Sequence, residues 1–337
     1  MRMMKLKNKK VLVTGGAGMI GSALVRALAE QGAIVSVADN LWRGRLRNLE
    51  DNGIAVIPLS TRFFNADLSN MEACRKVVQD QDIVYHLADV VAGISYIFKN
   101  QTSVFHANIR INTNMLNSAI EAKVPKYIYV GTACSYPAEK QNKIGGLLLK
   151  EEDAYPANPE SAYGWSKLMG EYECELAERE GLIKSGILRL HNVYGPRCEM
   201  SPERSQVIPA LIRKALRYPE EDFVVWGSGM QRRAFVYLDD VVSALLAVPE
   251  QAIGKGAIQI GPEYSTSIKE TAELIVKLVR KPIQIEYQAE MREGDVDRAA
   301  DWSKAKRCLG WEPKVGLKEG LSRTIAWCRE NLKEFVI

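Results

Sequence analysis

Long apolar runs are missing from this chain. No stretch reaches the 18 consecutive apolar residues that read as a membrane-crossing helix, so a spanning protein is not expected. A one-sided charge is missing too. The 45 Lys and Arg residues nearly balance 41 Asp and Glu residues, and the net charge of +4 lacks the electrostatic footprint of a nucleic-acid binder. Histidine is scarce. His86, His106 and His191 lie far apart and without cysteine neighbours at ligand spacing, so no metal site is expected. The 6 cysteines (Cys74, Cys134, Cys174, Cys198, Cys308 and Cys328) form no C-x-x-C pair and read as free thiols in a reducing compartment. No apolar signal-like segment precedes Val11, which gives the expectation of a cytosolic protein. Repeats and low-complexity tracts are also absent.

What is present is an ordinary globular balance, 47% hydrophobic and 26% charged, over 337 residues. Short β-branched runs alternate with longer amphipathic stretches. Strands are predicted at Lys10–Thr14, Ile34–Ala38, Asp82–His86, Tyr127–Val130 and Gly186–Leu190, and helices at Met19–Glu30, Met71–Gln79, Ser103–Ala122 and Ala162–Glu180. Such alternation predicts an α/β fold, a parallel sheet with helices on both faces. After Pro196 the pattern changes. A loop rich in Arg, Glu and Ser leads to a helix at about 206–218 and a strand at Phe223–Trp226, and a helix at Asp239–Val248 returns to the sheet. Further on come strands at Ala257–Ile260 and Ile283–Tyr287 and helices at Ser267–Val279 and Leu317–Leu332, while Trp311 and Trp327 read as core. The expected division is a main domain over 1–190 plus 238–254 and a smaller, substrate-holding α/β region over 191–237 plus 255–337.

The segment Gly15-Gly16-Ala17-Gly18-Met19-Ile20-Gly21 follows the first strand and opens the first helix. Glycines allow a tight turn and let backbone amides approach a pyrophosphate, and a helix N-terminus adds unpaired N–H groups and partial positive charge. Asp39 ends the second strand about 20 residues on, the spacing at which a carboxylate takes a ribose 2′-hydroxyl. This spacing predicts a dinucleotide site and favours NAD over NADP. The competing reading is a 2′-phosphate pocket made by Arg43, Arg45 and Arg47.

Tyr163 and Lys167 stand four residues apart on a predicted helix and therefore share one face. A free phenol ionises near pH 10, and a neighbouring ammonium favours the phenolate, so the pair can take a proton from a hydroxyl as hydride leaves.

Taken with these motifs, the blocks Asp39-Asn40-Leu41, Ala66-Asp67-Leu68, His86-Leu87-Ala88, Tyr163-Gly164-Trp165-Ser166-Lys167 and Arg189-Leu190-His191-Asn192-Val193-Tyr194-Gly195-Pro196 resemble the extended short-chain dehydrogenases/reductases that modify nucleotide sugars. The resemblance spans essentially the whole chain. It implies a Rossmann-type doubly wound sheet holding NAD, a C-terminal region holding a nucleotide sugar, and a homodimer built on two helices per subunit, here 103–122 and 162–180. By the same resemblance Gly15, Gly18, Met19, Ile20, Gly21, Asp39, Asn40, Asp67, Leu68, Leu87, Ala88 and Asn108 belong to the cofactor site together with Tyr163 and Lys167. Thr132 holds the substrate hydroxyl, Arg233 and Arg298 grip the diphosphate, and Asn192 belongs to the substrate site. Gly131-Thr132-Ala133-Cys134-Ser135-Tyr136-Pro137 is similar to the GDP-mannose 3,5-epimerase and GDP-fucose synthase type, in which the cysteine moves protons beside a C4 ketone. Strand alternation would point Thr132 and Cys134 the same way. The competing reading makes Cys134 a small residue filling a strand end. One departure stands out. That type carries a Lys or His just before a segment like Val207-Ile208-Pro209, where this chain has Ser205-Gln206, with Arg204 and Glu199 as the nearest substitutes. Three functions stay open: an epimerase with a GDP-sugar substrate, a net 4-ketoreductase, 4-oxidase or C4 epimerase, and a non-catalytic binding protein.

Overall fold

The structure, a computed structural model, describes residues 6–145 and 148–334. Seven parallel strands make its main sheet: β1 (Lys10–Thr14), β2 (Ile34–Asp39), β3 (Phe63–Asn65), β4 (Ile83–His86), β5 (Lys126–Thr132), β6 (Ser185–Leu190) and β7 (Ala257–Ile260), in the spatial order β7-β6-β5-β4-β1-β2-β3. The order reverses between β1 and β4, which opens a crevice at the carboxyl ends of the strands. Register aligns those ends. Thr14 is level with Ala38 and with His86, and Thr132 is level with Leu190. The strands are apolar on both sides because both faces are covered.

One face packs against α1 (Met19–Glu30) and α6 (Leu238–Gln251), through Leu24, Val25, Leu28, Val241, Leu245 and Val248. The other packs against α2 (Met71–Val77), α3 (Gln101–Glu121) and α4 (Ala162–Arg179), through Val77, Met115, Leu116, Cys174 and Ala177. Each such aliphatic side chain, fully buried, contributes roughly 1.5–3 kcal/mol, so packing rather than helix propensity fixes these elements. Ser161 caps α4 by accepting the Gly164 N–H at 3.2 Å, which sets where the helix begins and hence where Tyr163 stands.

A third core joins α5 (Val207–Arg217), α7 (Ile268–Val279) and α8 (Leu317–Asn331) through Ile208, Leu211, Ile212, Ile275, Leu321 and Ile325. The division expected from sequence shifts at one point. Ala257–Ile260, assigned to the substrate-holding region, pairs in parallel with β6 and is the outer strand of the main sheet. Trp311, 5% exposed, packs in the main core and donates its indole N–H to Asp240 O at 2.8 Å. Trp327 is partly buried against the third core. Among the described residues, no helix is long and apolar enough to cross a membrane.

Candidate active site

The crevice opens into a cavity of about 760 Å³ that runs from the glycine loop across the carboxyl ends of the strands to the C-terminal region. Its geometry begins with the loop after β1. Gly15 sits at φ +66°, and a Cβ there would lie 3.0 Å from Ala88 N. At Gly21 a Cβ would meet Gly15 O at 2.2 Å. The first position needs glycine for its backbone angle and the second for close packing of helix on loop. Gly18 is the N-cap of α1 and offers no side-chain cap, so the amides of the first turn face the cavity with the positive end of the helix dipole. Asp39, 8% exposed, is locked by the N–H groups of Ala17 (3.0 Å) and Leu41 (2.8 Å); burial pushes its carboxyl up and those two bonds pull it back. Met19, Ile20, Asn40, Asp67, Leu68, Leu87 and Ala88 all line this half. The cradle fits a dinucleotide.

Of the three arginines that could have formed a 2′-phosphate pocket, Arg45 approaches Glu199 (4.0 Å) and Arg47 donates to Asn331. Arg43 lies in the cavity wall, where burial lowers its pKa against the opposing charges of Asp89 and Glu199. Asn108 differs from expectation. It is fully buried behind the wall, accepts Val90 N–H at 2.7 Å and donates to Val90 O at 3.2 Å. It braces the loop after β4 and does not line the cavity.

The catalytic candidates meet at the end of β5. Thr132, Cys134 and Tyr163 line the cavity, and Lys167 lies behind them, 1% exposed, its Nζ 4.7 Å over the Tyr129 ring. Asp89, which the sequence reading passed over, joins the pair. Tyr163 donates its phenol to Asp89 Oδ2 at 2.9 Å, and Lys167 Nζ is 3.5 Å from the same oxygen. Burial, then Asp89 and Cys134, push the Tyr163 phenol well above its ordinary range. The ammonium therefore does not act on the phenol alone; a carboxylate stands between them. The signal for Asp89 was its place directly after His86-Leu87-Ala88, in the wall of the crevice.

Cys134 reaches the cavity by another route than strand alternation. β5 ends at Thr132, and residues 133–135 turn in a 3₁₀ helix capped by Thr132 Oγ1, which accepts the Cys134 N–H at 3.3 Å. Arg298 Nη1 donates to Cys134 Sγ at 3.4 Å, and the guanidinium is also held by Gln141 and Asp295. Burial works against its charge, but Cys134 and Asp295 outweigh burial and hold its pKa above the usual value. Arg233 lines the same space. It donates to the backbone carbonyls of Arg232 (2.8 Å) and Asp295 (2.6 Å), and burial plus the nearby Arg298 bring its pKa down to about 10. Two guanidiniums repelling one another beside a cavity make a site for an anion. Asn192 and Gln206 also line it, and buried Asn192 Oδ1 has no partner among the described residues. Of the possible stand-ins for an acid at Gln206, Glu199 lines the cavity, whereas Arg204 donates to Trp42 O and lies over the Trp42 ring.

The model of the NAD dependent epimerase/dehydratase family matches residues 11–261. The chain belongs to that family. It is 32% identical to the GDP-mannose 3,5-epimerase of Arabidopsis thaliana over 97% of this chain and 84% of the relative. It is 31% identical to the UDP-N-acetyl-alpha-D-glucosaminuronate decarboxylase of Bacillus cytotoxicus, over 96% of this chain and 98% of the relative. Among solved structures, the UDP-glucose 4-epimerase of Thermotoga maritima with UDP-glucose matches with a TM-score of 0.84 and 31% identity, covering 96% of this chain and 99% of that one. The protein is thus an enzyme of the extended short-chain dehydrogenase/reductase fold, its cofactor is NAD, and its relatives act on nucleotide sugars.

Proposed function

We propose that the protein is an epimerase of a GDP-linked hexose, similar in action to GDP-mannose 3,5-epimerase, working through transient oxidation at C4. The observation that carries this reading is Cys134, set in the cavity with Thr132 and Tyr163 and held at 3.4 Å by Arg298. NAD, when bound, supplies the acceptor and then the donor of a hydride. Tyr163 takes the C4 hydroxyl proton and returns it, with Thr132 holding that hydroxyl. A ketone at C4 acidifies the hydrogens at C3 and C5; Cys134 removes one of them from one face of the ring, and a proton delivered from solvent to the opposite face of the enolate inverts that centre. Arg298, which the resemblance puts on the diphosphate, lies 3.4 Å from the sulfur and is therefore assigned to the sugar ring, and Arg233 takes the diphosphate.

Gln206 favours a narrower outcome than inversion at two centres. It lines the cavity at the start of α5, where a second proton carrier would stand, and an amide does not exchange protons at neutral pH. With Cys134 as the one proton carrier, inversion at a single centre takes its second proton from solvent; without that delivery the proton returns to the face it left, and the outcome is exchange without inversion or net redox chemistry at C4. A homodimer packed through α3 and α4 completes the reading. The test is turnover of GDP-mannose, with UDP-glucose beside it. The epimerase reading expects isomeric hexose products from the GDP-sugar and a flat NADH absorbance. A steady change in that absorbance, with oxidised or reduced sugar as product, would replace it with the redox reading.

A further inference from the structure

One buried imidazole in the cavity wall is used by none of the chemistry above. His191 follows β6 directly, and since Leu190 is level with Thr132, it stands one residue past the catalytic threonine. His191 is among the residues that line the cavity, as are Thr132, Cys134, Asn192 and Arg298. The proton on that ring can be located from its neighbours. Gln259, on β7, donates its Nε2 to two backbone carbonyls, Leu149 O and Asp301 O (2.9 Å for the second), and carbonyls can only accept. The amide is therefore fixed with Oε1 toward Tyr136 OH (2.8 Å) and His191 Nε2 (3.0 Å). An amide oxygen also only accepts, so His191 carries its proton on Nε2 and presents a bare lone pair at Nδ1. That atom is buried, and no described residue donates to it. Protonation does not relieve it: burial, countered by the Gln259 bond but joined by the charges of Arg298 and Arg189, brings the pKa down to about 3.

We propose that His191 Nδ1 is a recognition atom for the sugar, accepting a hydrogen bond from a hydroxyl of the nucleotide-linked hexose beside Cys134. Buried acceptors are satisfied in native proteins, and an acceptor satisfied only by the ligand gives selectivity for a donor at that position. Neighbouring Asn192 Oδ1, likewise without a described partner, lies in the same wall. Tyr136 and Gln259 are positioning residues that hold the tautomer. The inference rests on the nucleotide-sugar reading of the cavity.

The experiment compares binding of GDP-mannose, UDP-glucose, GDP and UDP to the NAD-loaded protein by calorimetry, for wild type, His191→Phe, His191→Leu and His191→Asn. Phe and Leu remove the acceptor, with Leu measured in parallel in case the ring variant folds poorly; Asn restores an oxygen near Nδ1. The expected result is an affinity for the sugar nucleotide about tenfold weaker in the Phe and Leu variants, with the matching free nucleoside diphosphate within about twofold of wild type, and recovery in His191→Asn. Equal loss for sugar nucleotide and free diphosphate, no loss at all, or no recovery by Asn overturns the inference alone. A wild type that binds no sugar nucleotide overturns the underlying reading with it.

Discussion

Asp89 stands between Tyr163 and Lys167, accepting from Tyr163 at 2.9 Å and lying 3.5 Å from Lys167 Nζ. Its charge holds the phenol in the protonated form, and its pairing draws the ammonium away from the phenol. Asp89→Asn removes both effects. The titratable and charged groups left around the phenol would include Lys167, the half-buried Arg43, the thiol of Cys134 and the buried phenol of Tyr129, two of them cationic. Phenolate becomes easier to form, so the acidic limb of the pH profile for enzyme-bound NADH formation moves to lower pH. An unmoved profile would show that Asp89 only packs there. Tyr163→Phe, in contrast, abolishes bound NADH formation at every pH while leaving sugar nucleotide bound. Tyr163 and Lys167 were legible because four residues along a helix is one face. Asp89 was not, because its link to Tyr163 spans 74 residues of sequence and no local spacing announces it.

Elements were legible where they are long and periodic. The first strand and the first helix lie where the sequence predicts them, and α3, α4, α7 and α8 fall within two residues of expectation at each end. β3 escaped notice because three residues at a sheet edge carry no period. Alternation along β5 gave the right side for Cys134 through the wrong geometry, since a 3₁₀ turn and not a strand carries it. Two elements invite direct tests. A methyl at Gly21 would sit 2.2 Å from Gly15 O, so Gly21→Ala should push α1 off the loop and cut NAD affinity at least about tenfold by fluorescence titration. Gly316→Ala, at φ −68° with nothing nearby, should leave it unchanged. On α4, Tyr163, Lys167 and Glu171 repeat every four residues, and Glu171 pairs with Arg189 on β6 at 2.6 Å with both side chains almost wholly buried. Glu171→Gln leaves an uncompensated buried guanidinium and should cost about 3–5 kcal/mol in urea unfolding. A loss under 1 kcal/mol would mean that Glu151 O and the Tyr136 ring, which also contact Arg189, suffice to hold it.

Across the whole molecule, two buried histidines tie stability to pH. His86 bonds Thr14 Oγ1 and Asn112 Oδ1, and burial, then Lys167, bring its pKa down to about 3; His191 is lowered to about the same value. Unfolded, each titrates near 6.5, so between that pH and 3 the unfolded chain binds more protons. Their contribution is fully present above pH 6.5 and is lost as the pH falls, by up to about 1.4 kcal/mol per unit for each histidine. The buried carboxyl of Asp39 and the half-buried ones of Glu151, Glu173 and Glu175, pushed up by desolvation, oppose that trend. The clean observable is therefore a difference. The gap in unfolding free energy between wild type and His86→Asn should narrow by about 1.6 kcal/mol in all as pH falls from 6.5 to 5. A gap that stays constant would mean that His86 is not held neutral.

The crevice joins three cores, and the central claim concerns what happens where they meet: Tyr163 takes the C4 hydroxyl proton of a nucleotide sugar as that carbon gives up its hydride, and Cys134 exchanges a proton on a neighbouring carbon. Turnover of GDP-mannose in D2O, followed by mass and NMR analysis of the recovered sugar, tests it most directly. The wild type should place deuterium at one carbon beside C4, since Gln206 provides no second proton carrier. Cys134→Ser, nearly the same size but with a hydroxyl far too weakly acidic to serve, should still form bound NADH while losing the deuterium. A wild type that turns the sugar over with no deuterium incorporated, or a Cys134→Ser variant that incorporates it as fast as wild type, would contradict the account.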